Sequence, residues 1–333
     1  MEPSIWKRAQ DVVLPVPVER WLTDWAVRSL TGTLDLFGFV DEAVPGPTHE
    51  IRFVEDIRYG NGDEQLLDYI EPADAAPRGV VVFVHGGGFR TMSKSTHRPL
   101  ASILAKAGYA VVNIDYRLAP EHPYPAAVED ATDALIWMAG QMESWHLPDD
   151  RVVFAGESSG ANIALSVALA TCFEIDEPWA RRAWDSGIVA WGIAPICGFL
   201  QVSGPERLDP EGTMPSVVRD RFYESARDYL PESFQDPAVA PMGADPLRFL
   251  EQTSPPSRSM PWIMAAAGSR DPVLNDTLRL ADATERLGGR SYVRVYEGEP
   301  HSFHTYLWRD AAREFWHDWL ELMEELDRED RGD

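Results

Sequence analysis

Ser158 lies in Gly156-Glu157-Ser158-Ser159-Gly160, between the apolar run at 152–155 and a strongly helical stretch at 161–170. Gly-x-Ser-x-Gly between a strand and a helix is the pattern of a nucleophile elbow, a turn so sharp that the serine Oγ is exposed at the top of a sheet. A serine hydroxyl is a poor nucleophile near neutral pH and needs a base. Of the eight histidines, His301 has the most suggestive setting: Gly298-Glu299-Pro300-His301-Ser302-Phe303, directly after an apolar strand ending at Tyr296. His304 shares that loop and is its rival. A carboxylate should then fix the imidazole tautomer and stabilise the imidazolium. Asp271, in Ala267-Gly268-Ser269-Arg270-Asp271-Pro272, follows another apolar run, whereas Asp276 reads as the cap of the next helix.

Acyl transfer also needs hydrogen-bond donors where negative charge develops on the carbonyl oxygen. His85-Gly86-Gly87-Gly88-Phe89 follows the buried run at 80–84, and three glycines let backbone N–H groups approach a substrate without Cβ obstruction. A glycine-rich loop can also cradle phosphate, but no Walker lysine or Gly-x-Gly-x-x-Gly accompanies this one. The expected oxyanion donors are the N–H groups of Gly87, Gly88 and Ser159. His85 is expected to orient the loop by hydrogen bonding.

Catalytic groups of a parallel sheet gather at the C-terminal ends of its strands, and the elements have the right rhythm for one. Strands are predicted at 51–58, 64–70, 80–84, 110–114, 151–155, 187–193, 261–266 and 292–296. Helices are predicted at 95–107, 126–138, after Ser158, at 276–287 and at 311–326. This alternation argues for an α/β fold with a mostly parallel sheet covered on both faces. Residues 1–48 carry a tryptophan-rich helical pattern instead. Residues 199–257 are rich in proline and enclose one amphipathic segment, with Val218, Phe222, Ala226, Tyr229 and Leu230 at helical intervals. Either could be surface padding or part of a lid over the strand ends. The acidic tail from Glu324 to Asp333 reads as a solvated, fraying helix end.

The balance of 30 Lys and Arg against 54 Asp and Glu, a formal net charge of −24, opposes binding to nucleic acid or anionic membranes. Cys172 and Cys197 are the only cysteines, which excludes a disulfide framework and a cysteine-based zinc site. No apolar run reaches membrane-spanning length and the first ten residues lack a signal-peptide core. A soluble, cytoplasmic protein is expected.

Together these residues resemble one family. His85-Gly86-Gly87-Gly88-Phe89 resembles the oxyanion motif of the hormone-sensitive-lipase-like esterases, the bacterial family IV carboxylesterases. The long run Asp115-Tyr116-Arg117-Leu118-Ala119-Pro120-Glu121-His122-Pro123-Tyr124-Pro125-Ala126-Ala127 is very similar to their second signature, in which Arg117 and Glu121 would tie down the loop after the strand. Ser158, Asp271 and His301 match the triad in chain order. The resemblance implies an α/β-hydrolase fold: an eight-stranded, mostly parallel sheet with a helical cap. The cap would be built from residues 1–48 and the insertion 199–257, and the core from 49–198 and 258–333. It also implies hydrolysis of short-to-medium acyl carboxylic esters by a Ser158–His301–Asp271 triad, with a small-molecule ester as partner and no cofactor or metal. Homodimers are frequent in the family. Glu157 and Ser159 replace a frequent Asp and Ala, with no expected change in chemistry. The same triad would serve an amidase, a lactone or carbamate hydrolase, an acyltransferase or a lipase, and plant relatives use the scaffold as a receptor.

Overall fold

A computed structural model describes residues 38–332. Its frame is an eight-stranded sheet in the order β1-β2-β4-β3-β5-β6-β7-β8. The strands are β1 (Ile51–Arg58), β2 (Leu66–Pro72), β3 (Val80–Val84), β4 (Ala110–Ile114), β5 (Val152–Glu157), β6 (Gly192–Ile196), β7 (Trp262–Gly268) and β8 (Ser291–Tyr296). Strand β2 runs antiparallel to both neighbours, and every other pairing is parallel.

The helices in chain order are α1 (Phe39–Glu42), α2 (Lys94–Lys106), α3 (Ala126–Gln141), α4 (Ser159–Cys172), α5 (Pro178–Asp185), α6 (Ser216–Tyr229), α7 (Pro246–Gln252), α8 (Leu274–Arg286) and α9 (Asp310–Arg331). In the central strands successive side chains enter opposite layers. Val80, Val82 and Val84 join a core containing α3, α4 and α8 residues, while Val81 and Phe83 join one containing α2 and α9 residues. Burial on both faces explains why these strands read as continuous apolar runs. The strand ends converge on one edge, where the loops after β3, β5, β7 and β8 meet.

Three expectations need correction. Strand β6 lies five residues later than 187–193 at its start and three later at its end, because the apolar run continues through Ile196 and Pro195 does not break it. The β6–β7 pairing skips Ala194 and Pro195, which accommodates the missing N–H. Asp276 is not a cap. It is buried in the first turn of α8, where it accepts the N–H groups of Leu200 (3.1 Å) and Gln201 (3.3 Å) and binds the Arg207 guanidinium (2.5 and 2.9 Å).

The acidic tail is exposed from Arg328 to Gly332, as expected of a solvated end, but it stays helical through Arg331 and does not fray there. Asp327 accepts from Arg151 Nε (2.7 Å), Glu329 from Arg290 (2.7 Å), and Asp330 from the indole N–H of Trp191 (2.5 Å). Of the segment 1–48, residues 1–37 lie outside the described residues. The remainder packs Val40, Ala43 and Val44 into the layer of α2 and α9, with Asp41 paired to Lys106 at 2.7 Å. Helix α5 has no counterpart among the expected elements.

Candidate active site

Ser158 sits between β5 and α4 with φ 51° and ψ −116°, a strained conformation for a residue with a side chain. The turn is feasible because its flanks are bare. A Cβ on Gly156 would come within 2.5 Å of the Gly160 carbonyl oxygen, and one on Gly160 within 2.2 Å of that of Val84. The elbow is held from the neighbouring strand: the Ser158 N–H donates to Ile196 O (3.0 Å) and its carbonyl accepts the Phe199 N–H (3.1 Å). Helix α4 is buried throughout and starts at Ser159, so the positive end of its dipole lies at the serine.

His301 occupies the loop after β8 and Asp271 the loop after β7. Ser158 Oγ lies 2.9 Å from His301 Nε2, and His301 Nδ1 lies 2.9 Å from Asp271 Oδ1. The two loops are tied together by Gly298 N–H to Ser269 Oγ (2.8 Å) and Arg270 N–H to Glu299 O (3.0 Å). Burial opposes the imidazolium, but the adjacent Asp271 carboxylate outweighs it and raises the pKa of His301 above its ordinary value. Burial likewise opposes the Asp271 carboxylate, and His301 with the Val273 N–H (3.0 Å) brings its pKa below the ordinary value.

The glycine loop faces Ser158 from the end of β3. Gly87 and Gly88 have φ of 106° and 63°, where a side chain would be strained. The Gly87 carbonyl accepts the N–H groups of Arg90 and Thr91 and the Thr91 hydroxyl, each at 3.1 Å, which fixes the peptide plane. His85 bonds its neighbour's carbonyl through Nδ1 (2.7 Å) and stacks on Tyr116, whose hydroxyl donates to His85 O (3.0 Å). Tyr116 belongs to the long signature. Arg117 there grips Asp130, with its Nε 3.0 Å from both carboxylate oxygens.

His304 is brought elsewhere. It is fully buried among Phe303, Phe315 and Trp316, and its ring nitrogens have no hydrogen-bond partner among the described residues. Burial lowers its pKa to about 4.

Two side chains at the site were given no role by the sequence. Glu157, beside the serine, is buried. It accepts the Ser302 hydroxyl at 2.6 Å, lies 3.6 Å from His97 Nε2, and fills the space that a side chain on Gly86 would need. It therefore braces the elbow, the glycine loop and the His301 loop at once. Its signals in the sequence were its place immediately before the serine and its acidic character where the resembled family frequently has Asp. The other is Cys197, whose Sγ lies with an Asp271 oxygen and a His301 nitrogen inside a 4.8 Å circle. These three atoms form the sole candidate metal-ligand group among the described residues. A metal there would have to displace the His301–Asp271 hydrogen bond.

A cavity of about 460 Å³ opens over Ser158, walled by Gly87, Gly88, Phe199, Val218, Phe222 and His301. Helix α6 crosses it, setting the Phe222 ring edge-on to His301 at 5.5 Å. Phe89 of the glycine loop stacks on Tyr229 of the same helix (3.7 Å), and Arg90 pairs with Glu224 and Asp228 at 2.9 Å each. The glycine loop and the helix above it are thus one packed unit.

A family model described as the alpha/beta hydrolase fold matches residues 81–305, and the chain belongs to that family. The motifs around Gly87, Tyr116 and Ser158 place it on the hormone-sensitive-lipase-like branch. It is 28% identical to "Carboxylic ester hydrolase LipN" of Mycobacterium tuberculosis over 79% of this chain and 67% of that protein. It is 31% identical to "Gibberellin receptor GID1" of Oryza sativa subsp. japonica over 65% of this chain and 61% of the receptor. Among solved structures it is similar to EstE1, a thermophilic carboxylesterase cloned from a metagenomic library. The TM-score is 0.70 and the identity 25%, covering 94% of this chain and 97% of that one. No helix among the described residues is long and apolar enough to cross a membrane.

Proposed function

We propose that the protein is a serine carboxylesterase hydrolysing short-to-medium acyl esters through Ser158, His301 and Asp271. The observation that carries this reading is the continuous relay in which His301 reaches Ser158 Oγ and Asp271 Oδ1 from opposite ring nitrogens, each at 2.9 Å. The kinship with proteins named as carboxylic ester hydrolases supports it.

His301 Nε2 takes the Ser158 proton as Oγ attacks the ester carbonyl. Asp271 holds the Nδ1–H tautomer and stabilises the imidazolium. Backbone N–H groups of Gly87, Gly88 and Ser159 receive the oxyanion, each such donor contributing about 10²–10³ in rate. His301 then protonates the leaving alkoxide, giving an acyl-Ser158 ester and free alcohol. Water attacks that ester with His301 again as base, releasing the acid and restoring the hydroxyl. The cavity under α6 takes the acyl group, so residues 199–257 act as a cap and set the chain-length limit. The ester is the only partner the site requires, and the reaction draws on no cofactor.

Hydrolysis of p-nitrophenyl butyrate is the test. Ser158→Ala should lose several orders of magnitude in kcat, and a fluorophosphonate should label wild-type Ser158. Undiminished turnover by Ser158→Ala would refute the assignment. The likeness to a plant receptor suggests binding without turnover as the second reading, and the intact Ser–His–Asp set disfavours it. A wild-type chain that resists the fluorophosphonate would favour the receptor.

A further inference from the structure

Asp271 has two carboxylate oxygens, and His301 uses one. Oδ1 accepts from His301 Nδ1 and from the Val273 N–H. Oδ2 is buried and has no hydrogen-bond partner at ordinary distance among the described residues. A charged oxygen left without a donor in the interior is costly, and a carboxylate held on one side only is free to tilt.

The side chain beside it is Cys197, fully buried and directly after β6, the strand adjoining the one that delivers Asp271. Its backbone is fixed, with φ 49° and its N–H on Ala266 O at 2.8 Å. Its Sγ lies within 4.8 Å of both the Asp271 carboxylate and the His301 imidazole. Burial, and then the negative charge of Asp271, push thiol ionisation well above the usual range, so the sulfur keeps its proton and is a donor.

We propose that Cys197 is a positioning residue whose S–H donates to Asp271 Oδ2 and holds the carboxylate plane on His301 Nδ1. The thiol supplies from a neighbouring strand the second restraint that the one-sided Asp271–His301 bond lacks. It touches no reacting atom and acts through Asp271 alone. This inference rests on the Ser158–His301–Asp271 reading above.

Two substitutions separate hydrogen bonding from packing: Cys197→Ser keeps a donor and Cys197→Val keeps apolar bulk. With p-nitrophenyl butyrate, Cys197→Val should lower kcat about tenfold, the worth of one such hydrogen bond, with KM within about twofold. It should also weaken the low-field proton resonance of His301 Nδ1–H. Cys197→Ser should recover kcat to within about threefold of wild type and restore the resonance. Cys197→Val with wild-type kcat and an unchanged resonance would overturn the proposal. So would equal losses in both variants that follow their melting temperatures, which would make Cys197 packing alone. A wild-type chain without turnover or fluorophosphonate labelling would instead bring down the esterase reading.

Discussion

The proposed mechanism requires a neutral His301 to take the Ser158 proton, so kcat/KM should fall as pH drops through its pKa. Because Asp271 raises that pKa, the acid limb should lie above the ordinary imidazole value of about 6.5. Asp271→Asn removes the raising charge and frees the tautomer. Turnover should fall by about 10⁴, and the limb should move to lower pH; a limb that stays in place would mean Asp271 does not face His301. Ser302→Ala tests the Glu157 brace. It leaves a buried carboxylate oxygen without its hydroxyl donor and should cost about 1–3 kcal/mol in urea unfolding, with no change in stability as the result that denies the brace.

The elbow and the helix across the cavity are elements that can be tested separately. In Gly160→Ala the new methyl would lie 2.2 Å from Val84 O and 2.4 Å from His85 O, both unyielding backbone. The variant should lose about 3 kcal/mol or more together with most activity, because relief requires moving the loop that carries Gly87 and Gly88. A Gly160→Ala protein with wild-type melting temperature and turnover would contradict that packing. Phe222 meets His301 and Phe199 from above, at 5.5 and 5.2 Å. Phe222→Ala should raise the octanoate-to-butyrate ratio of kcat/KM by about tenfold; an unchanged ratio would place the acyl group elsewhere. The sheet was legible because β3 is an uninterrupted apolar run, β4 is apolar but for Asn113, and β5 opens on the apolar run at 152–155. Strand β6 was not, since one apolar run extends from Gly187 to Ile196 and period alone cannot mark where pairing begins. The residues that touch Ser158 sit in motifs with a chemical reason for each type. Glu157 and Cys197 are single residues whose meaning comes from neighbours 145 and 74 positions away, and local sequence carries no trace of those contacts.

At the scale of the whole molecule, many ion pairs among the described residues, such as Arg290–Glu329 and Arg294–Glu314, join exposed side chains and are each worth little. Sensitivity to acid should come from the interior. Burial lowers the pKa of His85 to about 3 and that of His304 to about 4, so both are neutral in the native protein and titrate near 6.5 once unfolded. Between roughly pH 6.5 and 4 the unfolded chain therefore binds protons that the native chain refuses. Stability must fall as pH falls through this window, by up to about 1.4 kcal/mol per pH unit for each histidine. His301 has the opposite sign: its raised pKa makes the native state the better proton acceptor, but that contribution is complete below about 6.5. Urea unfolding at pH 7, 6 and 5 should thus give a steepening loss of stability on the acid side. His304→Phe keeps a ring among Phe303, Phe315 and Trp316 while removing one of the two titrations. It should reduce the pH 6-to-5 slope by about 1 kcal/mol per unit, whatever the surface carboxylates contribute to both proteins. An unchanged slope would show that His304 takes up its proton in the folded state.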